Sequence, residues 1–144
     1  MNTRTQYLDE PHGKYKRTNV VTRRLIGGFF DAVRELADMA GAGSALEVGC
    51  GEGFSTLRLR AMLPPAVPLE ASDVEGRAVA AAAAANPGVP VTSESIYDLQ
   101  RESASFDLVF VLEVLEHLDD PRRAMDEVLR VAGRWFSYEK PSSR

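Results

Sequence analysis

Apolar residues recur at helical spacing between residues 20 and 39, where Val21, Leu25, Ile26, Phe29, Phe30, Val33, Leu36 and Ala37 fall along one stripe. The pattern predicts an amphipathic helix that stops at the glycine-rich stretch AGAGS. Gly27 and Gly28 in its middle each cost about 1 kcal/mol relative to alanine, which points to close packing or a kink. After residue 43 the pattern changes. Short apolar runs at 44–48, 67–72 and 89–93 predict three strands, and the nearly unbroken run FDLVFVL at 106–112 predicts a strand buried on both faces. RWFSYE at 134–139 predicts one more. Helical segments lie between them: 54–63, ending before Pro64 and Pro65, and the alanine-rich 75–86, stopped by Pro87 and Gly88. A further helix is capped by Asp119 or Asp120, carries Pro121 in its first turn and ends at Gly133. Ala124, Met125, Val128 and Leu129 form its inner stripe.

Strands alternating with helices predict an α/β fold, a Rossmann-like doubly wound parallel sheet of about five strands. Its ligand belongs outside the carboxyl ends of those strands. With 144 residues the chain suits one domain, over residues 20–144, behind a polar N-terminal arm at 1–19 that carries Arg4, Lys14, Lys16 and Arg17. A net charge of −4 argues against a general nucleic-acid surface. No apolar run is long enough to cross a bilayer, so no membrane partner is expected. Cys50 is the only cysteine, which excludes intrachain disulfides and fits a reducing cytoplasm.

The candidate chemistry starts at ALEVGCGEGFSTL, residues 45–57. Glycines at 49, 51 and 53 invite comparison with the dinucleotide fingerprint G-x-G-x-x-G, but the third glycine comes one residue early. Glu47 matters more. At 4 Å two like charges cost about 1 kcal/mol even in bulk water, and more in a partly buried site, so a carboxylate here would repel a pyrophosphate. A ligand with a cation and no phosphate would be welcome. S-adenosyl-L-methionine carries an ammonium and a sulfonium and meets that description. Asp73 follows the second predicted strand, twenty residues after Gly53, where an acid can accept hydrogen bonds from both ribose hydroxyls. It is equally placed to cap the alanine-rich helix.

LEVGCGEG resembles the first motif of the class I S-adenosylmethionine-dependent methyltransferases, and FDLVFVLEVLEHLDDP resembles the fourth motif of their type 11 and type 12 groups. The resemblance covers about residues 20–138 and implies a cofactor site. In that site Glu47 holds the methionine ammonium through water. Gly49, Cys50, Gly51 and Gly53 form the loop, with Gly49 and Gly51 lining the methionyl part. Asp73 binds the ribose, and Val74 and Ile96 pack on the adenine. Ser95 stands at the adenine edge where many members have Asp, with Asp98 as an alternative partner. Leu112 lies where the transferred methyl and the acceptor meet.

Glu113, Glu116 and His117 would share a face if their segment were helical. Such a trio suits a divalent metal, a general base at His117 or Glu113, or merely an oriented loop. Methyl transfer needs little beyond in-line positioning, so the lack of an obvious triad is no objection. The family's sheet usually has seven strands, and this sequence stops after a fifth, without the final antiparallel pair. The expectation is a sheet edge covered by a second copy or another protein, or else a shortened gene product. The leading expectation is methyl transfer to a small-molecule acceptor. The alternative is a non-catalytic, degenerate cofactor-binding fragment acting as an interaction module. Glu47 and the shifted glycine disfavour a nicotinamide-dependent reductase.

Overall fold

The computed structural model describes residues 20–138; the predicted arm at 1–19 lies outside them. Helix α1 (Val20–Ala40) matches the amphipathic stretch, with Val33 and Ala37 buried and the Phe29 and Phe30 rings in edge contact. No described atom lies within 4 Å of where a Cβ would stand on Gly27 or Gly28.

The strands are β1 (Ala45–Val48), β2 (Leu69–Asp73), β3 (Val91–Ser93), β4 (Phe106–Val111) and β5 (Ala132–Tyr138). They pair in the order β3-β2-β1-β4-β5, all parallel. Helices α2 (Phe54–Met62), α3 (Gly76–Ala85) and α4 (Pro121–Val131) connect them. Val48 stands level with Ser72 of β2 and Val111 of β4, and Asp73 with Ser93 of β3. The loops leaving β1, β2, β3 and β4 therefore emerge along one rim. Between β1 and β4 the chain order reverses, which is where a parallel sheet opens a crevice.

Every residue of β1 is buried, and so are Leu108, Val109, Phe110 and Val111 in β4. That continuous burial is why these strands read as mostly apolar runs, broken by Glu47 and Asp107, rather than alternating ones. On α4 the side chain of Asp120 accepts a hydrogen bond from the Arg123 amide, and Pro121 follows in the first turn. Ala124, Val128 and Val131 form its fully buried stripe, while Met125 is half-buried. Leu129 is exposed, against expectation, because it lies 100° round the helix from Val128, beyond the buried face. Gly133 does not end the helix either. Ala132 is already extended and the chain runs straight into β5, where a Cβ on Gly133 would lie 3.3 Å from the Ala104 carbonyl oxygen. Among the described residues no helix is long and apolar enough to cross a membrane.

Loop and helix are joined at Gly53, the left-handed residue (φ 88°) that opens α2. A Cβ there would overlap the Asn86 amide nitrogen and sit 2.8 Å from the Ala82 Cα on α3. Asn86, buried at the C-cap of α3, donates to the carbonyls of both Gly53 and Ala82 at 3.0 Å. Gly53→Ala should therefore destabilise the fold by about 2–4 kcal/mol, from overpacking together with positive φ. Gly51→Ala, where φ is also positive but no described atom lies within 4 Å, should cost about 1–2 kcal/mol. Thermal unfolding followed by circular dichroism compares the two, and equal losses would refute the packing role of Gly53.

Candidate functional site

The glycine loop, residues 49–53, turns inward almost everywhere. The amides of Gly49 and Cys50 both donate to the Ser72 carbonyl, at 2.8 and 2.9 Å. The Gly53 amide donates to the Cys50 carbonyl at 3.0 Å, and the Gly51 amide to Asp73 Oδ2 at 2.9 Å. A phosphate cradle offers its backbone N–H groups to the ligand. Here these four are taken by the protein's own acceptors. Gly49 is small for a packing reason: a Cβ there would overlap Cγ2 of Val114, which leans over the loop from beyond β4. Gly51 alone among the three faces open space.

Glu47 lies fully buried beneath this loop. Its Oε1 accepts from the Ser55 hydroxyl, and its Oε2 from the Thr56 hydroxyl at 2.6 Å. Burial pushes its carboxyl above the ordinary value; the two hydroxyls oppose that shift and the nearby Asp73 adds to it. The same burial, together with Glu47 and Asp73, pushes the Cys50 thiol up to about 12. At that value Cys50 is a packing residue at neutral pH, not a nucleophile.

Beyond the loop opens a cleft of about 310 Å³, within the size range of ligand pockets. Val48 and Gly49 border it from the β1 side, Asp73 and Val74 from β2, Glu94, Ser95, Ile96 and Tyr97 from β3, and Glu113, Val114, His117 and Leu118 from β4. Of the residues expected to form a site, Gly49, Asp73, Val74, Ser95, Ile96, Glu113 and His117 meet on its walls. Glu47, Cys50, Gly51, Gly53 and Leu112 do not line it: Glu47, Cys50 and Leu112 are buried behind or below, and Gly53 abuts α3. Asp98, the alternative adenine partner, is exposed outside it.

Asp73 is bound on both oxygens, since Oδ1 also takes the Glu75 amide at 3.0 Å. Each carboxylate oxygen has a second lone pair, so two hydroxyls of a ligand can still be accepted. Glu75, not Asp73, occupies the cap position of α3. Val74 is 71% exposed at the cleft, an apolar surface left in water. Ser95 spends its hydroxyl on its own loop, accepting from the Tyr97 amide at 3.2 Å.

A helical face shared by Glu113, Glu116 and His117 does not form. Glu113 has left-handed backbone (φ 54°), and residues 115–117 make a single 3₁₀ turn. Glu113 and His117 reach the cleft, whereas Glu116 does not line it. Among the described residues no group of three His, Cys, Asp or Glu is placed to hold a metal ion.

Three important residues escaped the sequence reading. Ser55 and Thr56 looked like ordinary helix-start residues, and only the position of Glu47 reveals their purpose. Glu94 is buried with its carboxylate on the Gln100 amide (3.0 Å) and the Arg101 guanidinium (3.2 Å), and it carries the wall of the cleft.

The donor set tests which ligand fits. Asp73 and Glu113 bring carboxylates to the cleft, among the described residues no Lys or Arg lines it, and the loop amides of Gly49, Cys50, Gly51 and Gly53 are occupied. Exposed Val74 and buried Ile96 supply apolar surface. A nucleoside bearing cationic groups and no phosphate fits; a dinucleotide pyrophosphate does not.

A family model described as a methyltransferase domain matches residues 46–134. A probable S-adenosylmethionine-dependent methyltransferase of Mycobacterium tuberculosis is 33% identical over 98 residues, 68% of this chain and 35% of that protein. The chain thus spans about a third of the length of the curated relatives it matches. A putative S-adenosyl-L-methionine-dependent methyltransferase from Methanococcus maripaludis superposes with a TM-score of 0.64 at 17% identity, over 82% of this chain and 59% of that one. The cyclase SpnF superposes with a TM-score of 0.57 at 25% identity, over 71% of this chain and 42% of that one.

The raised carboxyl of Glu47 has a consequence for stability. The unfolded chain releases this proton in the ordinary carboxylate range, and the folded chain only at higher pH. The folded state therefore binds the extra proton in between, and stability falls as pH rises from the ordinary value through the folded one. Glu47→Gln, which can still bond both hydroxyls, should remove that slope. Urea unfolding of both proteins between about pH 4 and 8 measures it, and identical profiles would show that Glu47 does not titrate this way.

Proposed function

The chain belongs to the methyltransferase domain family, whose cofactor is S-adenosyl-L-methionine, and from that premise we propose that the cleft at the carboxyl rim of the sheet binds this cofactor and presents its methyl group to a small-molecule acceptor. The observation that carries the reading is the pairing of inward-turned loop amides with an acid-lined, partly apolar cleft. When bound, the cofactor supplies a methyl carbon already activated by a sulfonium leaving group.

The chain's own residues position and shield. Asp73 accepts the ribose hydroxyls, and it holds the Gly51 amide in the same act. Val74 and Ile96 cover the faces of the adenine. Gly51 leaves room for the methionyl chain. Buried Glu47 keeps the loop in place through Ser55 and Thr56, and its negative potential favours the cationic end of the ligand from below. Glu113 and His117 stand where the acceptor enters. His117 is the candidate base for an acceptor that must lose a proton, since its side chain is 74% exposed and within 3.7 Å of Glu116 only as a loose pair. Free, buried Cys50 supports a reducing cytoplasm as the setting.

A second reading is that the cleft binds the cofactor without transferring its methyl. The structural likeness to a protein titled a cyclase favours keeping it, because one fold hosts several chemistries.

Titration calorimetry with S-adenosylmethionine and S-adenosylhomocysteine tests the first step. We expect binding of both, weakened about 30-fold or more in Asp73→Ala, which removes a charged acceptor from two hydroxyls. Folded protein that binds neither ligand would overturn the reading, and unchanged affinity in Asp73→Ala would remove the ribose assignment. Methyl transfer to an acceptor panel then separates the two readings.

A further inference from the structure

The wall of the cleft after β3 is not part of the sheet. Residues 94–101 leave the strand as a looping segment that carries Glu94, Ser95, Ile96 and Tyr97. Its own turns shape part of it, with the Asp98 amide on the Ser95 carbonyl and Glu94 accepting from Gln100 and Arg101, and α4 holds its far end. Glu127 Oε1 accepts the Leu99 amide at 2.9 Å. Arg130 donates to the Leu99 carbonyl at 2.9 Å and to the Arg101 carbonyl at 2.8 Å. The two side chains also pair with each other, through Arg130 Nε to Glu127 Oε2 at 2.9 Å and Nη2 to Oε1 at 2.7 Å. One turn of α4 thus satisfies three backbone groups of the segment. A second hold lies at the other end of the helix, where the Asp120 amide donates to the Tyr97 hydroxyl at 3.1 Å and the Arg123 guanidinium lies over the Tyr97 ring at 5.2 Å. Neither Glu127 nor Arg130 lines the cleft.

We propose that Glu127 and Arg130 are positioning residues for the cofactor, setting its affinity from outside the cleft by fixing the segment that forms the adenine-side wall. This rests on the reading of the cleft as the cofactor site. The planar fork of Arg130 suits the task, because it spans two carbonyls and a carboxylate at once, which a lysine ammonium on a flexible stem does not do. The pairing also holds the Glu127 carboxyl below its ordinary value, Arg130 being the main cause and the Leu99 amide a further one, so the clamp stays charged throughout the neutral range. A segment left to itself would sample other shapes, and the cofactor would bind only the fraction with Ile96 and Ser95 in place.

The test compares two arginines that each hold loop carbonyls. Arg60 caps the end of α2 by donating to the carbonyls of Val67 (2.7 Å), Leu63 (3.3 Å) and Pro64 (2.7 Å), and it does not line the cleft. Calorimetry of S-adenosylhomocysteine binding, well below each variant's melting temperature, should give a Kd raised about tenfold in Arg130→Ala and unchanged in Arg60→Ala. Arg130→Lys should fall between wild type and Arg130→Ala. Hydrogen exchange of the free proteins supplies a readout independent of the ligand: the Leu99 and Gln100 amides should exchange faster in Arg130→Ala and as in wild type in Arg60→Ala. Glu127→Gln, which keeps the shape and an acceptor for Leu99, serves if Arg130→Ala does not fold, with a Kd raised about threefold. Wild-type binding with equal Kd in the folded Arg130 and Glu127 variants overturns the proposal and leaves the cleft assignment intact. Wild-type protein that does not bind removes the cleft assignment, and the proposal with it. Equal losses in the Arg60 and Arg130 variants would mean general destabilisation and overturn the proposal as well.

Discussion

A carboxylate sealed from water must be given hydrogen bonds, and at Glu47 this requirement organises the site around it. Its two oxygens call on the hydroxyls of Ser55 and Thr56, in the first turn of α2. That fixes where α2 begins relative to β1, and so the path of the five residues between them. Within that path the amides fold back on Ser72, Cys50 and Asp73. The loop that results is closed to phosphate by its own hydrogen bonding, in addition to the charge beneath it.

Asp73 joins this arrangement to the ligand side. It hydrogen-bonds the glycine loop and lines the cleft. The register of the sheet makes this possible, since Val48 and Ser72 end level and leave Asp73 one step beyond. Small side chains complete the junction. Ala82 and Gly53 let α3 approach the loop closely enough for Asn86 to bond across, and Gly49 makes room for Val114. The three glycines of one motif thus do different things: two admit a neighbouring side chain or helix, and Gly51 faces open space.

The far wall of the cleft is built on another principle. Its segment has little sheet pairing of its own, the Glu94 amide on the Asp73 carbonyl and the isolated contact between Ser95 and Asp98, and is tied by charged side chains as well. Glu94 with Arg101 ties it from within, and Glu127 with Arg130 ties it to α4. Arg101 further reaches Glu70 on β2 and the ring of Phe106 at the start of β4. Buried or half-buried pairs of this kind hold geometry more than they add net stability, because desolvation offsets much of their attraction.

The strands, their order of appearance, the parallel sheet and an opening at its carboxyl rim, where the cleft lies, were all legible in the sequence. They follow from burial on two faces and from the alternation of element types, which are local properties of the chain. Glu47 by its charge, and Asp73 by its spacing, pointed to a ligand class. What the sequence did not reveal were partnerships between distant residues: Glu47 with Ser55 and Thr56, Glu94 with Arg101, Leu99 with Glu127. Hydroxyls and charges look alike wherever they stand, and only folding decides which of them meet. The same reason explains the errors. Leu129 is apolar, but the direction of its face was set by packing. Glu113, Glu116 and His117 had helical spacing, but the left-handed turn at the end of β4 sent the first and last to the cleft and not the middle one. Local pattern determined the scaffold and pointed to a kind of ligand; tertiary contact decided which residues hold the loops around the cleft.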